Sequence, residues 1–428
     1  MKWGVLLFCL IQAIQSGADY PQWNQFRGPW GTGVAPETED CDVPLDWSEE
    51  NNVVWKTPIS HKGWSSPVIW DDQIWLTTAT EDGREMYAIC VDKNSGKILF
   101  NEEVFHNDHP DPLGNDVNTY ASCTPIVEEG FVYIHFGSYG TTCIKTDTFE
   151  KVWERRDLPC NHFRGPASSP ILYDNLLILT MDGSDLQYQV ALNKKTGETV
   201  WKTDRTTLFK DLDAEGKPKA DGDMRKAFST PLLIEVNGQP QMVVSASYAG
   251  FGYDPRTGKE LWKLDHFSYS NASMAQFGHD LVYLITGRGQ AEIAALMPTG
   301  SGDITKSHVV WTYDKGIPSM VSPLLINDLY FMLNNGGVMT CLDAKTGEEQ
   351  WRQRMPEQYY SSPIYVDGRI YCFSTRGTVT IVEPAREYKE INRISMPDGF
   401  MASPAVDGCD LYIRSITHLY RISNTSEK

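Results

Sequence analysis

Ala191-Leu-Asn-Lys-Lys-Thr-Gly-Glu-Thr-Val-Trp201 is the stretch from which the fold is read. An apolar strand runs into a polar Gly turn and leaves it as a β-branched strand ending in Trp. The pattern returns at 252–262 and 341–351, each time with Thr-Gly shortly before the Trp, and 90–100 is a variant with Ser-Gly and Phe. A second landmark accompanies it: Ser66-Pro67, Thr124-Pro125, Ser169-Pro170, Thr230-Pro231, Ser322-Pro323, Ser362-Pro363 and Ser403-Pro404 each open a short apolar strand. The recurring unit is therefore a Ser/Thr-Pro strand, a tight turn, an apolar strand, a loop, a third strand, a Gly turn and a strand ending in Trp.

These landmarks mark seven units, and the gap between Thr230 and Ser322 holds a degenerate eighth. There Asp280-Leu-Val-Tyr-Leu-Ile285 matches Asp328-Leu-Tyr-Phe-Met-Leu333, and Val309-Val310-Trp311 supplies the closing strand. The final unit, 400–422, has three strands, and Asn52-Val-Val-Trp55-Lys56 is the candidate for its fourth. One four-stranded sheet cannot bury both faces alone, so such units stack around an axis. The expected fold is all-β: an eight-bladed β-propeller of four-stranded antiparallel blades, closed by an N-terminal strand. One Trp per blade at a fixed repeat position reads as packing between blades.

The repeats resemble those of the PQQ-like propeller superfamily, which includes quinoprotein alcohol dehydrogenases and the propeller lipoprotein of outer-membrane barrel assembly. The opening Trp23-Asn-Gln-Phe-Arg-Gly-Pro29 with Gly31-Thr-Gly33-Val34 resembles a start common in exported PQQ-like repeat proteins. The resemblance implies the fold across nearly all of the chain, and it covers enzymes and scaffolds alike. PQQ enzymes of the superfamily carry a vicinal Cys-Cys disulfide above the quinone and calcium ligands below it. This chain has no adjacent cysteines, and no calcium ligand carries across by motif. No cofactor is therefore expected, with PQQ and calcium as the minority reading.

Residues 1–18 read as a signal peptide: Lys2, an apolar run too short to span a bilayer, and Ser16-Gly17-Ala18 at the cleavage positions. Residues 19–50 form an N-terminal extension, and 51–428 the propeller. Export to the periplasm or the exterior follows, with no later transmembrane segment. The formal charge of −18 argues against nucleic acid, whose phosphates it would repel. Of nine cysteines, Cys9 leaves with the signal, and the remaining even number permits disulfides whose pairing stays open. Cys90, Cys341 and Cys372 lie in apolar strands and read as small buried hydrophobes.

Turns within the blades' first and last strand pairs are terse, whereas the opposite connections include every long loop: 101–119, 155–167, 202–227 and 265–273. Long loops on a rigid scaffold carry binding sites, so that face is the expected working face. Its candidate ligand-binding residues are His106, His109, Tyr120, Arg225, Arg288, Tyr360 and Arg376. Trp64, Tyr120, Phe163, Phe228 and Tyr360, just before the inner strands, are candidates for the rim of a central funnel. Basic residues gathered on one face of an acidic protein suit an anion, such as a carboxylate or acidic sugar. Asn161-His162-Phe-Arg164 offers weak catalytic candidates, with His162 as a general base, Arg164 as an anion clamp and Asp182 nearby.

His106-Asn-Asp-His109 lacks a helix to align its imidazoles, and no metal is expected there. Asp211-Leu-Asp213-Ala-Glu215-Gly216 opens like a calcium loop, but Gly222 stands where a bidentate Glu belongs, so it reads as a solvated insertion. The leading expectation is a non-redox binding or scaffold protein, taking a protein partner or an anionic small molecule. A carbohydrate-active enzyme is the alternative and a PQQ-dependent dehydrogenase the second.

Overall fold

A computed structural model describes residues 21–39, 41–209 and 211–424. The expected signal peptide lies outside them. The chain forms eight sheets, each a blade with its first strand innermost. Blades 1 to 7 span 68–106, 126–155, 171–204, 232–265, 276–313, 324–354 and 364–395. Blade 8 takes three strands from 405–422 and its fourth from Val53–Pro58, antiparallel to His418–Ile422, which closes the ring. The degenerate fifth blade has its four strands, and its last connection lends Gly302–Asp303 as a parallel edge to blade 4.

Each recurring sequence landmark has a physical task. The Trp indole caps the Gly turn of the next blade. Trp153 Nε1 donates to the Lys194 carbonyl (2.9 Å), and a Cβ on Gly197, whose φ is +74°, would lie 2.7 Å from the Trp153 ring. Any side chain there would meet both the indole and a left-handed backbone. Trp55, Trp201 and Trp311 repeat the arrangement on Gly96, Gly258 and Gly347.

The Ser/Thr of Ser/Thr-Pro builds a hydrogen-bonded ring around the axis. Ser66 N donates to Thr124 Oγ1, Thr124 N to Ser169 Oγ, and Ser169 N to Thr230 Oγ1, at 2.9–3.0 Å. Beyond blade 5, Met274 N donates to Ser322 Oγ, Ser322 N to Ser362 Oγ, Ser362 N to Ser403 Oγ and Ser403 N to Ser66 Oγ. The link from Thr230 is missing because blade 5 carries Met274 where the others carry a hydroxyl. Each bond satisfies a buried amide and contributes about 1 kcal/mol. The following Pro needs no acceptor.

The N-terminal extension closes one end of the axis. Asn24 exchanges hydrogen bonds with Val127 of blade 2, and the Trp23 carbonyl accepts from Ile69 of blade 1. On the far side a Cβ on Gly31 would meet Met274 of blade 5, and Tyr365 of blade 7 then pairs with Gly33 and Ala35. Residues 23–34 thus cross the lumen. Between these anchors the buried Arg27 guanidinium donates to the carbonyls of Thr32 and Pro323 (both 2.5 Å), and more weakly to Ser322 and Pro363 (both 3.4 Å). Burial pulls its pKa down to about 9, which still leaves it charged at neutral pH. Arg27→Met should cost about 3–5 kcal/mol, because it strands buried carbonyls that no smaller donor reaches. Urea unfolding monitored by Trp fluorescence would register the loss, and an unchanged midpoint would refute the role.

Further along, Val43 and Trp47 are buried against blades 7 and 8, and a disulfide joins Cys41 to Cys409, Cα atoms 5.3 Å apart. Cys90, Cys341 and Cys372 are buried free thiols.

Candidate functional site

A cavity of about 460 Å³ occupies the axis on the long-loop side. The strand period of two determines its wall. The residue two positions before each Ser/Thr landmark shares the landmark's face, and in all eight blades that residue lines the cavity. Blades 6, 7, 8 and 1 contribute Met320, Tyr360, Met401 and Trp64, a continuous half-buried apolar arc, and Phe228 of blade 4 faces it. Blades 2, 3 and 5 contribute only Ser122, Ala167 and Ala272, which leaves room for the long loops to enter. Phe26, from the segment crossing the lumen, joins the lining at the closed end.

The loops bring charge. Arg164 pairs with Asp223 through Nε and Nη2 at 3.3 and 3.2 Å, and its Nη1 donates to the Gly114 carbonyl. The Lys226 ammonium also contacts Asp223, donates to the Phe163 carbonyl (2.8 Å) and lies 4.5 Å from the Phe163 ring centre. Burial pushes the Asp223 carboxyl up, but hydrogen bonds from Arg164 and Lys226 prevail and hold it below its usual range. Burial draws the Lys226 ammonium down, against the opposing pull of Asp223. Arg288, exposed and lining the cavity, has no side-chain hydrogen bond or ion pair among the described residues. Three cations thus face one carboxylate, which two of them already share.

Arg164, Arg288 and Tyr360 meet in this cavity, with Trp64 and Phe228 of the expected rim. The others lie elsewhere. Tyr120 is buried, donates to the Asp111 carbonyl (2.8 Å) and walls a neighbouring hollow of about 630 Å³ that shares Asn115 with the cavity. Phe163 packs under Arg164 and Lys226. His162 is buried beside Cys160 and Gly137, off the lining; burial lowers its pKa to about 4, and its Nε2 has no partner. Asp182 forms a buried two-pronged ion pair with Arg205 (3.0 and 2.8 Å), whose guanidinium also reaches Tyr253 of blade 4. No hydrogen bond or ion pair joins His162, Arg164 and Asp182 among the described residues.

Arg225 clasps Asp211 (2.9 and 2.7 Å) and covers Phe209. In the calcium-like loop, Asp213 Oδ1 accepts amides of Glu215 and Lys217, so both aspartates are engaged in ordering the insertion. His106 and His109 are exposed. His106 clusters with Glu85 and Glu103, a grouping with metal-ligating atoms that exposed acidic side chains also form without an ion. Arg376 is exposed and off the lining.

Sequence reasoning missed Lys226, Asp223, Tyr269, Met320, Met401 and Phe26. Met320 and Met401 were discoverable from the offset of two before Ser322 and Ser403. Lys226 and Asp223 were not, since an irregular loop places them.

A family model described as "Outer membrane protein assembly factor BamB" matches residues 46–223 and 252–387. No curated protein matches the sequence. Among solved structures, BamB from Moraxella catarrhalis superposes with a TM-score of 0.57 at 12% identity, over 86% of this chain and 99% of that one. The quinohemoprotein alcohol dehydrogenase ADHIIG from Pseudomonas putida HK5 gives 0.56 at 12% identity, over 96% and 81%. A europium-containing methanol dehydrogenase gives 0.54 at 12%, over 94% and 91%. At such identities these likenesses establish the fold alone.

Proposed function

Since this chain belongs to the PQQ-like propeller family of the outer membrane protein assembly factor BamB, and the family shares its fold with dehydrogenases, we propose from the cavity itself that it is a non-redox binding protein for an anionic ligand. The observation carrying this reading is the cation excess of the axial cavity, Arg164, Lys226 and Arg288 against Asp223, inside a protein of formal charge −18. A basic pocket in an acidic molecule concentrates anions locally while the outer surface repels bulk polyanions. Arg288, whose side chain has no partner among the described residues, is the group positioned to pair with the ligand, and its planar fork suits a carboxylate.

A quinone–calcium pair does not fit the donor set. Calcium takes six to eight oxygen ligands, whereas Asp223 is the one carboxylate of the lining and is bound to two cations. The carbohydrate-active alternative has less support, because its acid and base candidates, Asp182 and His162, are each buried off the lining. Export is supported by the Cys41–Cys409 disulfide, which an oxidising compartment sustains.

Calorimetric titration with benzoate, citrate, galacturonate and PQQ, the last with and without calcium, tests the reading. At least one anion should bind, and Arg288→Ala should weaken it about tenfold, the value of one charge-assisted pair. Absence of anion binding, or binding indifferent to Arg288, refutes the site. Calcium-dependent retention of PQQ refutes the non-redox assignment.

A further inference from the structure

Resting on the anion-site reading, we infer that the cavity captures the C-terminal end of a polypeptide whose last side chain is apolar. The crossing segment lies across the lumen, so a chain that enters from the long-loop side has to stop there, as a chain end does. The cavity is also divided. Met320, Tyr360, Met401 and Trp64 occupy one arc, on blades 6 to 1, and the Arg288 guanidinium, with no side-chain partner among the described residues, comes from blade 5, next to the Met320 end of that arc. A ligand satisfying both carries a carboxylate and a bulky apolar group on neighbouring atoms, the chemistry of a terminal residue with its α-carboxylate.

Methionines at two of the four apolar positions make that arc adaptable to side-chain shape. An oligosaccharide fits this arc less well, because Met320 and Met401 offer its hydroxyls no hydrogen-bond partners. The way out is polar. Asn115 lines both the cavity and the neighbouring hollow, where Lys62, Thr80 and Thr119 line the wall. An extended backbone leaving the cavity over blades 1 and 2 would find amide and hydroxyl partners there. The acidity of the whole protein favours chains whose preceding residues are neutral or basic.

The test is fluorescence anisotropy with N-terminally fluorescein-labelled Gly-Lys-Ser-Ala-X peptides, X being Phe, Leu, Met or Asp, each as free acid and as C-terminal amide. At least one apolar-ended free acid should bind. Amidation, Asp at the end and Arg288→Ala should each weaken it by about tenfold or more. Ala272→Trp, which puts an indole on the cavity lining, should abolish binding while circular dichroism stays unchanged. Equal binding of acid and amide, or failure of all apolar-ended acids, overturns the inference. If galacturonate or benzoate still binds through Arg288 while every peptide fails, the anion site stands and its polypeptide occupant is wrong. If no anion binds at all, both readings fall together.

Discussion

Acidification from pH 6.5 to pH 4 is expected to remove most of the stability of this propeller. Burial lowers the pKa of His135 to about 3, and those of His162 and His266 to about 4, from an ordinary 6.5. Between the folded and unfolded values the unfolded chain binds more protons. Stability therefore rises with pH in that window and falls as the pH drops. Each pH unit costs about 1.4 kcal/mol per histidine, so the three together withdraw up to about 10 kcal/mol by pH 4. Total stabilities are of order 5–15 kcal/mol. The hydrogen bonds agree with the direction: His266 Nδ1 accepts the Ser268 amide (3.2 Å), a bond that only an unprotonated Nδ1 can accept. Acid titration followed by near-ultraviolet circular dichroism should show cooperative loss between pH 5 and 4. In a His135→Gln/His162→Gln variant the midpoint should move down by about half a unit or more. An acid transition that ignores both substitutions would place the cause elsewhere.

The second large effect concerns the Cys41–Cys409 bond. It spans 368 residues of sequence, so cutting it returns much freedom to the unfolded chain, about 6 kcal/mol at 25 °C on the loop-entropy account. For a chain of this length that corresponds to a fall in Tm of roughly 6 °C. The remaining described cysteines are buried free thiols, so a reductant acts through this bond. Calorimetric scans with and without tris(carboxyethyl)phosphine, repeated on Cys41→Ser/Cys409→Ser, measure the effect. The reduced wild type and the double variant should melt together, below the oxidised protein. Identical melting with and without reductant would show that the bond adds nothing.

The ring was legible because it is periodic. Trp201, Gly197 and Ser169-Pro170 each recur with the same task in other blades, so repetition makes the contact visible before the structure is seen. Even the degenerate fifth blade betrayed itself through 280–285 and Val309-Val310-Trp311. The cavity was legible only where that period persists. Trp64, Phe228 and Tyr360 stand two before a landmark and line it; Tyr120 and Phe163 lie further upstream, where the chain has left the strand, and turn elsewhere. Isolated charges gave no such guide. Asp182, Arg225 and Asp211 look alike as available groups in sequence, yet each is consumed by an ion pair whose partner is fixed only by folding. Trp23 to Val34 was recognisable as a motif, but a stopper that bridges opposite blades is a long-range relation no local pattern encodes.

The offset of two also turns the lumen into text. Read in blade order, the wall of this protein spells W-S-A-F-A-M-Y-M, one letter per blade, from Trp64 through Met401. Beneath nearly every letter a hydroxyl clasps the neighbouring blade, so the backbone that presents the letter does not depend on what the letter is. Rewriting a single letter should alter what the lumen admits while the spelling around it keeps its place. Two propellers of this kind can thus differ in the shape of their lumens through a handful of characters and still share the joints between their blades.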